Sequence, residues 1–181
     1  MWRDLLKFGI HWTRRFKWTG YKTLKNLIGL FEAICDSYDN PTFVPVNGIT
    51  HCNEAVAAVA DAMGCKDLAF KTADEIVAYL SGNSDWQAIP MDKAQATANQ
   101  GSLVVAGLSS EALKQGHGHI VVVRPGIPCE SGKWGTVPRC LNVGVEMFLA
   151  RAKKGPLTGM SAGVNEAFVP LPTFWVWRPS L

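Results

Sequence analysis

No stretch of this sequence approaches the ~18 to 20 consecutive apolar residues that a membrane-spanning helix needs. No Cys-x-x-Cys pair occurs, which argues against a zinc-finger module, and five cysteines, an odd number, cannot form a complete disulfide framework. Charge is scarce: 18% of the side chains are Asp, Glu, Lys or Arg, against roughly 25% in soluble domains at large. The net charge of +3 is too small to mark a nucleic-acid binder. A secretory signal needs an apolar core of about 7 to 15 residues, and Asp4, Lys7, His11, Arg14 and Arg15 interrupt the N-terminal stretch. Export by the ordinary route is not expected. What the chain does have is apolar material, 48% of 181 residues, enough for one folded unit around a single core.

The charge is divided unevenly. Residues 1–25 hold seven Lys and Arg against Asp4 alone, a net +6, and the remaining eleven basic and fourteen acidic residues give −3. Trp2, Trp12 and Trp18 lie in the same basic segment. Leu5, Phe8, Trp12 and Phe16 recur at three- and four-residue steps, the stripe of an amphipathic helix. Such a helix packs on its own domain or lies on an anionic membrane or cell-wall surface. We divide the chain into a basic helical segment, 1–40, and a second part, 41–181, the two forming one compact unit and a monomer.

From Leu24 a helical rhythm continues through Leu27, Ile28, Phe31, Ile34 and Tyr38 until the turn chemistry of Asp39-Asn40-Pro41 stops it. After a loop over 41–48, a helix is expected over 49–64, with Thr50 as its N-cap and Gly64 as terminator. Two more are expected at 73–80 and 91–99. Beyond Gly101 the pattern becomes extended, with short Val-rich and aromatic runs at 102–108, 119–124, 137–145 and 174–177 separated by turn residues. Helices first and short strands afterwards predict an α+β fold, N-terminal helices on a small antiparallel sheet.

Three residues carry the chemistry. With Thr50 as cap, Cys52 falls in the first turn of its helix, where free N–H groups and the helix dipole favour a thiolate. It also heads the stripe Cys52, Val56, Val59, Met63 that faces the core; the competing reading is an inert buried thiol. Next, Gly116-His117-Gly118-His119 leads directly into Ile120-Val121-Val122-Val123. His119 shares the alternation of Val121 and Val123, whereas His117 belongs to the loop. Asn142, an amide amid apolar residues in the next extended run, needs a partner that a histidine ring N–H on the adjacent strand would supply. Such an Asn orients the base in cysteine-histidine-asparagine sites.

A cysteine at a helix start, the Gly-x-Leu-Val-Val run 101–105, Gly-His-Ile-Val-Val-Val at 118–123 and a following strand with a polar residue together resemble the papain-like cell-wall hydrolases, the NlpC-like peptidases and CHAP amidases. The similarity spans about residues 47–144 and the closing strand 174–177. It implies a papain-like fold with Cys52 as nucleophile, His119 as base and Asn142 as orienting residue, acting without a cofactor on the peptide part of peptidoglycan. The sequence departs from the Asp-Cys-Ser-Gly-Phe signature of the NlpC-like group, with Thr50-His51-Cys52-Asn53-Glu54 in its place. Asn142 stands where a second histidine is common there, which is nearer to the CHAP pattern.

By that resemblance Cys52 attacks an amide carbonyl, His119 protonates the departing amine, and water resolves the thioester. The Cys52 N–H is the first oxyanion donor, with Asn47 and His51 candidates for the second and His117 a further substrate contact. Trp86 and Trp134 are candidate cleft walls or packing residues. Two competing readings remain: a zinc hydrolase using His51, Cys52, His117 and His119, or a non-catalytic binding module on the same fold. A wall enzyme without an export signal reaches its substrate by lysis, on a phage particle or through a secretion machine.

Overall fold

The computed structural model describes residues 14–45, 47, 49–144 and 162–179, with side chains from residue 23 onward. The expected stripe at Leu5, Phe8, Trp12 and Phe16 lies outside the described side chains. Helix α1, Arg14–Asp39, buries Leu30, Ala33, Ile34, Ser37 and Tyr38, which three- and four-residue steps place on one face. That face meets α2, Cys52–Ala62, and the Ser37 hydroxyl donates to the Ala55 carbonyl at 3.1 Å. At the expected stop, the Asn40 side chain accepts from the Thr42 N–H at 3.0 Å and Pro41 opens a 3-10 turn, Pro41–Phe43. Proline suits that position because it has no N–H to leave unpaired.

Helix α2 begins three residues later than expected. His51, not Thr50, occupies the N-cap, while Gly64, at φ +96°, follows the C-cap as its terminator. Helix α3, Ala73–Gly82, starts in a capping box in which Thr72 and Glu75 exchange side-chain and backbone hydrogen bonds. Helix α4, Met91–Asn99, matches the expected span. A short α5, Ser110–Leu113, follows the second strand, and α6, Val164–Ala167, precedes the last.

The sheet is antiparallel at every pairing, in the order β1-β7-β2-β3-β6. Its strands are β1 (Trp86–Ile89), β2 (Val104–Leu108), β3 (His119–Val123), β6 (Cys140–Leu141) and β7 (Thr173–Trp177). A separate hairpin joins β4, Cys129–Ser131, to β5, Gly135–Val137. One run expected as a strand, 137–145, is therefore divided. Val137 ends β5, Pro138 interrupts, and Arg139 donates its N–H to the Gln95 side chain at 2.9 Å before β6 begins. Asn142 follows β6 rather than lying within it.

The sheet is covered on both sides, which explains why its central strands read as unbroken valine runs rather than alternating ones. On one side Val105, Ile120, Val122 and Trp175 pack with α1, α2 and α3. On the other, Val104, Ala106, Val121, Val123, Phe174 and Val176 pack with α4 and α6. The mixed α+β class expected from the sequence is what the chain adopts. Trp86 is a core residue of β1, 5% exposed, not a cleft wall.

Candidate active site

Cys52 opens α2 beneath the start of β3. His51, just before it, makes no side-chain cap; its imidazole Nδ1 lies 3.0 Å from Glu54 Oε1 instead. The orphan N–H groups of the first helical turn are thus left near the sulfur. The Ile120, Asn53 and Cys52 N–H groups and the Thr50 hydroxyl lie toward Sγ and favour its anion. Thr50 faces the Cys52 sulfur rather than acting as a cap.

Burial is the larger influence. Cys52 is 4% exposed, and desolvation lifts its thiol above the ordinary value of 9.0 against the pull of those four groups. The helix-dipole expectation of a resting thiolate is corrected here: a sulfur this deep stays protonated. Only the thiolate alkylates. Reaction of Cys52 with iodoacetamide, followed by peptide mass spectrometry, is expected to rise about tenfold per pH unit from pH 7 to beyond pH 9. A plateau reached below pH 7 would show a low-pKa thiolate instead.

His119 opens β3, paired opposite Leu108. Its Nε2 lies 2.9 Å from Asn142 Oδ1. An amide oxygen only accepts, so this bond puts the ring proton on Nε2 and leaves Nδ1 as the basic nitrogen. The Phe168 ring lies against the imidazole, centroids 5.2 Å apart and tilted by 50°. Desolvation lowers the His119 pKa below its ordinary 6.5, with the Asn142 bond opposing and His117 adding to the effect. At neutral pH the imidazole is uncharged.

The sheet separates these groups more than alternation suggested. His119 shares the side of Val121 and Val123, the α4 side, and Cys52 belongs to the α2 side with Ile120 and Val122. What links them is backbone: the thiol feels the Ile120 N–H, in the peptide group that joins Ile120 to His119, and the two side chains share no hydrogen bond. The ring's hydrogen bond goes to Asn142 and not to the thiol.

The other candidates lie apart. His117 is exposed, its Nδ1 3.2 Å from the Gly118 carbonyl. Asn47 is exposed in a turn with φ 53°. The zinc donors His51, Cys52, His117 and His119 do not converge, and among the described residues no group of three His, Cys, Asp or Glu side chains is placed to hold a metal. Like the other three cysteines, Cys129 and Cys140 are not joined in a disulfide. They lie on strands that pair with different partners, Val137 and Val123, and the Cys140 thiol donates to the Ala162 carbonyl at 3.7 Å. Phe168 was not legible as a site residue: no local pattern ties residue 168 to a histidine on another strand.

What these residues build is an α+β domain with a buried cysteine at a helix start and a tautomer-fixed histidine one peptide group away. No family model matches the chain, and no curated protein matches it in sequence.

Proposed function

We propose that this protein is a cysteine hydrolase of the papain-like kind that cleaves an amide bond in the peptide part of peptidoglycan. The observation that carries the reading is the His119–Asn142 hydrogen bond, which leaves Nδ1 basic at the strand end where the Cys52 sulfur meets the Ile120 N–H. At rest both partners are neutral, so the mechanism begins with a proton transfer rather than from a preformed ion pair. As the sulfur attacks the carbonyl carbon, its proton passes to His119 Nδ1, and Asn142 supports the imidazolium through Nε2. The N–H groups at the start of α2 are donors for the developing oxyanion. The imidazolium then protonates the leaving amine, and His119 activates the water that hydrolyses the thioester. The substrate class rests on the resemblance to wall hydrolases. Digesting purified peptidoglycan and identifying the new ends by mass spectrometry tests it; an unchanged digest excludes this substrate.

We further propose that α1 rests on an anionic surface. No helix among the described residues is long and apolar enough to cross a membrane. Leu24, Ile28 and Phe31 are 54%, 49% and 44% exposed at steps of four and three, beside Lys25 and continuous with the +6 segment. Apolar insertion and attraction to anionic headgroups reinforce each other in such a helix. Sedimentation with phosphatidylglycerol vesicles is expected, with little on phosphatidylcholine and a severalfold loss in a Leu24→Ser, Ile28→Ser, Phe31→Ser variant. Equal sedimentation of the variant removes this surface from the account.

A further inference from the structure

We infer that Asp74 is a positioning residue for the His119 base, a proposal that rests on the catalytic reading of His119 given above. Asp74 stands in the first turn of α3, which the Thr72–Glu75 capping box locks: the Thr72 N–H donates to Glu75 Oε2 at 2.7 Å and the Glu75 N–H to Thr72 Oγ1 at 3.3 Å. Ile76 and Leu80 anchor the same helix in the core. From this fixed base the carboxylate reaches two distant points of the chain. Oδ1 accepts from the Ser110 N–H at 2.6 Å, and Oδ2 accepts from the Gly118 N–H at 3.0 Å. The Ser110 hydroxyl lies on the same side and also favours the carboxylate.

The two points are the ends of the connection between β2 and β3. Ser110 opens α5 directly after β2, and Gly118 is the residue before His119. One carboxylate thus closes both ends of this loop where the strand ladder finishes, at the Leu108–His119 pair. Charge-assisted bonds to backbone N–H groups are stronger than neutral ones. Burial raises the Asp74 pKa, but the bonds from Ser110 and Gly118, with His117 nearby, hold it below the ordinary carboxylate value, so the clamp is charged at neutral pH.

Gly118 is fitted to the clamp. A Cβ there would lie 2.9 Å from the Leu108 carbonyl oxygen and 3.2 Å from Asp74 Oδ1, so a side chain would push the loop off both. Asp74 touches no reacting atom. It fixes the peptide plane entering His119, while Asn142 holds the ring's far nitrogen: backbone and side chain of the base are anchored separately. The Asp74 charge suits the first turn of α3, but both of its recorded hydrogen bonds leave the helix for the β2–β3 connection.

Asp74→Asn in the full chain tests this. Asparagine keeps one acceptor oxygen and replaces the other with a donor, so it cannot hold both N–H groups. Outer anchors of this kind are worth about 10- to 100-fold. We expect kcat to fall by about that factor on soluble peptidoglycan fragments, with KM changed less than about twofold, and the His119 titration followed by NMR to shift from its wild-type midpoint. A variant with wild-type kcat and unchanged His119 titration overturns the proposal, as does a loss confined to KM. If wild-type protein cleaves no fragment but Asp74→Asn still moves the His119 titration, the catalytic reading fails and the positioning contact stands. Should Asp74→Asn not fold, Gly118→Ala, whose Cβ would crowd the Leu108 carbonyl oxygen and Asp74 Oδ1, is read by the same two measurements, with a severalfold fall in kcat and a shifted His119 titration expected and no change in either overturning the proposal.

Discussion

Cys52→Ala is expected to lower peptidoglycan cleavage by about a thousandfold or more, since no other group can form the thioester. The variant is also a fair test of folding. Serine would put a hydroxyl into a site that is 4% exposed, whereas alanine removes the sulfur and leaves the N–H groups of Asn53 and Ile120 to water or substrate. The lost burial of one small side chain costs about 1 kcal/mol, well within the stability of an ordinary domain. Loss of cleavage with a cooperative melt retained is therefore the expected pair of results. Cleavage at the wild-type rate would remove Cys52 from the chemistry and, with it, the thiol hydrolase.

The second large effect is at His119. Because Cys52 is a resting thiol, the base must take its proton during attack, and removing that base leaves nothing to do so at neutral pH. His119→Ala is expected to lose about 10²- to 10⁴-fold in kcat, while His117→Ala, exposed and bonded to its own neighbour's carbonyl, stays close to wild type. Asn142→Ala falls between, by about 10- to 100-fold, because it orients an existing base. The wild-type kcat/KM should rise through the His119 pKa, which burial holds below 6.5: activity is lost as pH falls through that value and the imidazole becomes charged. An active His119→Ala beside a dead His117→Ala would exchange the two assignments.

Much of the frame was legible because it depends on local signals. Asn40-Pro41 stops α1, Gly64 stops α2, the Met91–Asn99 span follows Pro90, and the valine runs become β2 and β3. The His119–Asn142 pair was legible too, since an amide among apolar residues demands a partner. What escaped depends on the rest of the chain. Trp86–Ile89 becomes a strand through its pairing with β7, and its own four residues say little. Alternation placed His119 with Val121 and Val123 but could not say which side of the sheet α2 would cover. The charge state of Cys52 was misjudged because the helix terminus is visible in sequence and the depth of burial is not. Asp74 could be placed at the start of a helix from Thr72 and Glu75; that its oxygens reach residues 110 and 118 could not.

The cysteines, taken together, say something about handling and survival. Each of Cys35, Cys52, Cys65, Cys129 and Cys140 has its thiol pushed above the ordinary value, burial being the largest cause in every case. At pH 7 a thiol above 9.0 is less than about 1% ionised, and peroxides and stray disulfides consume thiolates. All five thiols, Cys52 among them, are therefore expected to react slowly with peroxides and disulfides at neutral pH, and the proposed chemistry would need a substrate to draw the Cys52 proton away.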